Sequence, residues 1–208
     1  IDEKIIMTSD GIENMDDFPE SMVIAGAGVI GCEFATIFSA FGKTKVHLID
    51  KGDRILPFED EDVVKVIERN MESNGILIHR NSHLTGIVIR YVRVEYELEY
   101  NDGKKEKFNV EKALVSVGRT PNFEGLWDES LPIEFTKRGI KDNETQTNID
   151  NIYAVGDITA DISLVNVGEL EGRYAVEKIF GNPARKLVYE NISTIMFLHP
   201  EVAGVGLN

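Results

Sequence analysis

The chain has 208 residues, 42% hydrophobic and 28% charged, the balance of a soluble globular protein with one large domain or two small ones. A formal net charge of −14 argues against a nucleic-acid face, which needs a basic stripe, and against binding to anionic membranes. A single cysteine excludes an intramolecular disulfide, and the four histidines (His47, His79, His83, His199) are scattered without ligand spacing, so no metal site is expected.

Residues 1–20 are polar, with "SDG" and "DDFPE" as turn signals. "SMVIAGA" is a short apolar run ending in glycine, which predicts a buried strand. "VIGCEFATIFSAF" follows at helical spacing and stops at Gly42. "KVHLID" predicts a second strand. "EDEDVVKVIERNMESNG" predicts a helix with Val63, Val64, Ile67 and Met71 on one side and Gly75 at its end, and "ILIH" predicts a third strand. This order is a βαβαβ unit on a parallel sheet.

The period then changes. "GIVIRYVRVEYELEYNDGKKEKFNV" alternates through Val92, Val94, Tyr96, Leu98 and Tyr100, and turns at Asn101-Asp102-Gly103, which predicts an antiparallel meander. "ALVSVG" is again a buried strand. Arg119 to Asn151 is loop-rich. "NIYAVGD" reads as a strand entering a glycine turn, "SLVNVGELEGRYAVEKIFG" as a helix stopped by Gly181, and "STIMFL" and "VAGVGL" as two further strands. Ile1 in place of an initiator Met, and an end on "VAGVGLN", lead us to expect a piece of a longer protein. The chain carries no signal peptide and no run of ~18 apolar residues, and a cytoplasmic location is expected.

The chemistry lies first in "GAGVIGCEFATIFSAFG". A glycine repeat alone is weak, but this one follows a strand and opens a helix. Gly26 permits the tight turn, Gly28 leaves room for a pyrophosphate, and Gly31 lets helix and strand pack closely. The helix start, with Val29 and Ile30, offers amides and partial positive charge to an anion, which needs no Lys or Arg. Asp50 ends the next strand, roughly 20 residues on, where an acid accepts the adenosine ribose hydroxyls; its charge favours NAD over NADP, and neighbouring Lys51 and Arg54 weaken that preference. Cys32 has no resolving partner and is expected to pack as a small core residue. Glu33 has two readings at this point: a helix-dipole partner, or a residue aimed at the cofactor.

"VSVGRTPN" (115–122) and "TNIDNIYAVGD" (147–157) add two further motifs in register. With all three, the chain resembles the flavoprotein pyridine nucleotide-disulfide oxidoreductases, the class of dihydrolipoamide dehydrogenase, glutathione reductase and soluble transhydrogenase. The resemblance covers nearly everything from Ser21 onward. It implies an α/β fold: a Rossmann-like, three-layer NAD-binding domain (parallel sheet plus antiparallel meander) at 21–118. Residues 1–20 would link from a missing FAD segment, 119–184 would form the C-terminal part of the FAD domain, and 185–208 would start a dimerisation domain.

The resemblance further implies that Gly26, Gly28, Val29, Ile30, Gly31, Glu33, Asp50, Lys51 and Gly118 bind NAD(H). Asp157 would hold the ribitol of FAD, and Leu164 and Val165 at the next helix start would face the flavin, in the intact protein. Glu33 would lie near the nicotinamide. His199 stands where a small residue is usual. The redox dithiol and the acid–base pair would lie on sequence outside this chain, so no catalytic residue is assigned to it. The implied function is hydride transfer between nicotinamide and flavin in a homodimer, dihydrolipoamide dehydrogenase- or transhydrogenase-like, with the present piece inactive alone. Two alternatives stay open: an FAD/NADH reductase that uses no disulfide, and a stand-alone nucleotide-binding module without catalysis.

Overall fold

The computed structural model describes residues 1–128, 130–181 and 186–206. It divides into two compact units. The first comprises Ile1–Gly118 with Thr194–Gly204; the second is built from Arg119–Ser193. The boundary expected between 184 and 185 lies outside the described residues.

In the first unit, β2 (Ser21–Ala25), α2 (Val29–Ala40), β3 (Lys45–Ile49), α3 (Glu61–Ser73) and β4 (Leu77–His79) follow one another in the expected order. With β1 (Ile6–Met7) and β8 (Lys112–Val115) they build a five-stranded parallel sheet in the order β1-β8-β2-β3-β4. α3 starts on an Asp60 cap, whose side chain accepts the Asp62 N–H, and buries Val64, Ile67 and Met71. Its charged face stays in water, as the spacing requires.

Residues 1–20, read as polar turns, contain more order than their composition suggests. β1 (Ile6–Met7) pairs in parallel with β8 (Lys112–Val115) at the sheet edge, and α1 (Ser9–Ile12) follows on a Thr8 cap. The two-residue strand was invisible because its pairing partner is more than a hundred residues away.

Each face of the sheet carries its own core. On one side Met22, Ile24, Val46, Leu48 and Leu114 pack with Cys32, Ala35 and Phe38 of α2 and with α3. Met196 and Leu198 join this cluster from the region of β9 (Ser193–Met196), which pairs with β10 (Val202–Val205). On the other side, Val23, Ile49 and Ala113 meet Val94, Tyr96, Leu98 and Val110 of the meander. The meander is β5 (Ser82–Arg90), β6 (Arg93–Tyr100) and β7 (Lys105–Val110), antiparallel throughout. Helices, sheet and meander therefore form three layers. Val92, counted with the alternating core positions, is instead exposed beside Tyr91, because the β5–β6 turn falls there.

In the second unit "NIYAVGD" is not a strand. Tyr153 makes one isolated bridge to Gln146, and Gly156–Ile158 is a 3-10 turn. Ala154 is buried there and Ile152, Tyr153 and Val155 half-buried, and among the described residues of this loop-rich unit no strand runs beside them. The helix after it, α4 (Val165–Phe180), runs to Gly181 as its glycine stop implies.

Candidate nucleotide-binding site

Register brings the candidate residues to one edge. Ala25 is paired with Ile49 on one side and Val115 on the other, so Gly26, Asp50 and Ser116 all lie one step beyond the carboxyl ends of β2, β3 and β8. The ladder continues through them: the Gly26 N–H donates to Ile49 O (2.9 Å), Asp50 N–H to His79 O (3.0 Å) and Ser116 N–H to Ala25 O (2.8 Å). β2 has β3 on one side and β8 on the other, so this is where the strand order reverses, the place where open α/β sheets bind ligands.

The glycine turn is tight at two points and open at the third. Gly26 has φ +101°, and a Cβ there would meet the Ser116 carbonyl. A Cβ on Gly31 would run into the Gly26 carbonyl oxygen, which fixes the close approach of α2 to β2. Gly28 differs: nothing lies within 4 Å of where its Cβ would sit. It caps α2 with extended backbone and no side-chain bond, so no cap side chain occupies the first amides of this twelve-residue helix. Val29 is exposed and Ile30 half-buried at that start.

Asp50 is built into the turn. Its Oδ2 accepts the Ala27 N–H at 2.8 Å and its Oδ1 the Gly52 N–H at 2.8 Å. The carboxylate lines a cleft of about 250 Å³ with Gly26, Lys51, Ser82, His83 and Val117. Arg54, considered with Lys51, does not line it; its guanidinium donates to Pro57 O at 2.8 Å. Ser116, His83 and Val117 were missed from sequence. Ser116 Oγ donates toward the Ala25 and Gly26 carbonyls, both 3.0 Å away, and only the β2–β8 register reveals that.

Glu33 lies beyond the first turn of α2, so it does not act as a dipole partner there. Its Oε1 accepts the Phe197 N–H at 2.9 Å. Cys32 is fully buried, and its Sγ donates to Ala27 O at 3.4 Å. Burial, with the nearby Asp50, Glu68 and Glu33 carboxylates, pushes the thiol far above its usual range. Gly118, with φ +139°, closes the first unit.

In the second unit, Asp157 sits in the 3-10 turn and pairs with Arg119 at 2.8 Å. The turn is held from α4: the buried Glu171 accepts the Gly156 N–H through Oε2 (2.6 Å) and the Tyr189 hydroxyl through Oε1 (2.9 Å). Leu164 caps α4 without a side-chain bond, and Val165 is 89% exposed, so this helix start is also uncovered. Among the described residues, no three His, Cys, Asp or Glu side chains come together as a metal site would require, and no helix is long and apolar enough to cross a membrane.

A family model described as pyridine nucleotide-disulphide oxidoreductase matches residues 2–172. A dihydrolipoyl dehydrogenase of Bacillus subtilis (strain 168) is 34% identical over 206 residues, which span 97% of this chain and 43% of that protein. Another, from Acholeplasma laidlawii, is 38% identical over 189 residues, 89% of this chain and 53% of that one. Among solved structures, LpdA from Mycobacterium tuberculosis aligns with a TM-score of 0.90 at 26% identity, over 100% of this chain and 44% of its own. The HOCl-induced flavoprotein disulfide reductase RclA from Escherichia coli aligns at 0.86 and 27% identity, over 98% and 46%. The chain thus spans about half the length of these relatives or less. Both the resemblance read from the three motifs and the expected α/β fold are borne out, and the chain belongs to the pyridine nucleotide-disulphide oxidoreductase family.

Proposed function

We propose that this chain is the NAD(H)-binding portion of an FAD-dependent oxidoreductase that passes hydride between nicotinamide and flavin, as a dihydrolipoamide dehydrogenase or a transhydrogenase does, in the cytoplasm. The observation that carries this reading is the asymmetry of the glycine turn. Two glycines are closed against backbone, while the Cβ position of Gly28, the cap of α2, stands in empty space. A packing motif alone needs the first two and has no use for the third.

On this reading residues 21–118 form the NAD domain, reached through 1–20. Gly26, Gly28, Val29, Ile30 and Gly31 would cradle the pyrophosphate with backbone N–H groups. Asp50 already accepts one amide on each oxygen, and a carboxylate oxygen has a second lone pair for a ribose hydroxyl. A 2′-phosphate would meet that charge, with Lys51 at the rim as partial relief. Glu33 and Gly118 would stand on the nicotinamide side, Glu33 steadied by the Phe197 amide.

Residues 119–184 would complete an FAD domain and 185–208 would open a dimerisation domain, with the homodimer and the remaining FAD segments belonging to the whole protein. Bound flavin would supply the hydride donor or acceptor. The uncovered start of α4 at Leu164 and Val165 suits its ring, and Asp157, held by Arg119, suits a ribitol hydroxyl. The chain's own work would be to bind and orient the nicotinamide nucleotide. A fluorescence titration of the purified chain with NADH, with flavin content measured alongside, tests this. NADH binding by a colourless protein supports the reading; stoichiometric FAD on this chain, or no NADH binding, overturns it.

A further inference from the structure

The most unusual cluster outside the cleft is a pair of histidines between sheet and meander, His47 buried and His79 half-buried. His47 on β3 and His79 at the end of β4 point the same way, with rings nearly parallel at 15°. His47 Nδ1 is 3.2 Å from His79 Nε2. The Tyr96 hydroxyl of β6 is 2.8 Å from the same Nδ1, and the Tyr100 hydroxyl is 2.8 Å from His79 Nδ1. Tyr100 donates onward to Glu106 of β7 at 3.1 Å, and Glu106 pairs with Lys104 in the turn. Phe108 of β7 packs its ring on both imidazoles at 5.4 and 5.2 Å. Lys45, on His47's own strand, is the remaining cation that acts on the pair.

The geometry limits the protons. One proton fits between His47 Nδ1 and His79 Nε2, as an N–H···N hydrogen bond. If both rings were imidazolium, every nitrogen would carry a proton and two N–H groups would face each other across 3.2 Å. One charge can be accommodated on His79: Nε2–H then donates to His47 Nδ1, Nδ1–H donates to Tyr100, and Tyr100 donates to the Glu106 carboxylate. Among the described residues, the groups that face His47 are Tyr96, the His79 ring, Phe108 and Lys45, and none of them is a counter-ion for a second charge.

We propose that the His47–His79 contact is an acid-sensitive joint: it clamps the β5–β7 meander onto β3 and β4 while at most one of the two rings is charged, and it opens when both are protonated. The electrostatics agree. Burial, then His79, then Lys45 lower the His47 pKa to about 4, and burial lowers that of His79. The sign follows. Released from the clamp, His47 titrates near its ordinary value of about 6.5, so the open state takes up protons first as pH falls. The clamp is at full strength above about pH 6.5 and weakens down to about pH 4. The joint reaches the cleft through one carbonyl, since His79 O accepts both the Asp50 N–H and the Ser82 hydroxyl.

The test is amide hydrogen exchange of the whole chain, corrected for intrinsic pH dependence. From pH 7 to pH 5 the amides of Tyr96–Tyr100 and Lys105–Val110 should open roughly twentyfold more often, the ratio set by pKa values of about 6.5 and 4. Amides of β2 should change far less. In His47→Asn the side-chain amide takes the place of the Nδ1 edge, able to meet Tyr96 and His79 but not to be protonated, so the acceleration should largely vanish. An NMR titration of the unaltered chain covers the case where that variant does not fold. It should show the His47 ring staying neutral between pH 7 and 5. Meander exchange that is flat with pH, equal acceleration in His47→Asn, or a His47 ring titrating near 6.5 in the folded chain would each overturn the proposal.

Discussion

Asp50 Oδ2 accepts the backbone N–H of Ala27 at 2.8 Å, so the acid that ends β3 also holds the glycine turn that ends β2. With Oδ1 on Gly52, the carboxylate ties the turn after β2 to the turn after β3 at the cleft it lines. Asp50→Ala should therefore do two separable things. It should destabilise the first unit by about 1–3 kcal/mol through two unpaired amides, read by urea denaturation. It should also narrow the gap between NADH and NADPH affinities, by about 1–3 kcal/mol where the ribose contact is made. Equal binding of the two cofactors by the unaltered chain would remove Asp50 from the specificity role.

Gly28 and Gly31 should separate binding from folding. Gly31→Ala places a methyl group against the Gly26 carbonyl and should cost about 1–3 kcal/mol of stability. Gly28→Ala enters open space with φ −77°, which any residue adopts, and should leave stability within about 0.5 kcal/mol. The same substitution should weaken NADH binding, because it stands where the pyrophosphate would lie. Paired denaturation and titration curves check both arms.

Cys32 should be inert. Its thiol is buried and its pKa is raised, chiefly by burial, so a thiol reagent at pH 8 should label the native chain only at the rate of unfolding. The raised folded-state value also fixes a pH trend. The unfolded thiol ionises near pH 8.5–9 while the folded one stays protonated, so its contribution is complete below about pH 8.5 and declines as pH rises. Cys32→Ala should flatten part of the alkaline loss of stability and leave NADH affinity unchanged. Rapid native labelling would contradict the packed role.

Glu171 should be a keystone of the second unit. Its buried carboxylate holds the Gly156 amide and the Tyr189 hydroxyl, and it raises the pKa of that hydroxyl in concert with burial. Glu171→Ala leaves both donors unpaired and should destabilise that unit by about 2–3 kcal/mol; Glu171→Gln, which keeps one acceptor, should cost less. Local hydrogen exchange at 153–159 is the measurement, and no difference between Ala and Gln would argue against the clamp.

The sheet, its helices and the meander were legible because their signals are local. Val64, Ile67 and Met71 repeat at helical spacing, and Val94, Tyr96 and Leu98 alternate, each period reporting one buried face. The glycine turn was legible for the same reason, since Gly26 to Gly31 lie within one turn and one helix start. Long-range pairings were not. β1 depends on β8, Glu33 on Phe197, and Asp157 on Arg119. The histidines looked scattered along the chain, yet His47 and His79 lie on the same face of neighbouring strands, two register positions apart. Their inward phase in "VHLI" and "ILIH" was the available signal. "NIYAVGD" failed as a strand because apolar composition reports burial, whereas a strand also needs a free edge beside it.

The central claim is that the carboxyl edge of β2 and β3 holds NAD(H) through Gly28 and the α2 amides. Its most direct test is a calorimetric titration of the purified chain with NADH, repeated on Gly28→Glu. That side chain would project a carboxylate into the open space in front of the helix start without a steric conflict in the fold. One-to-one binding to the unaltered chain, weakened at least about tenfold in a variant of unchanged Tm, is the predicted result. NADH binding of equal strength in both proteins, or none in the unaltered chain, would contradict it.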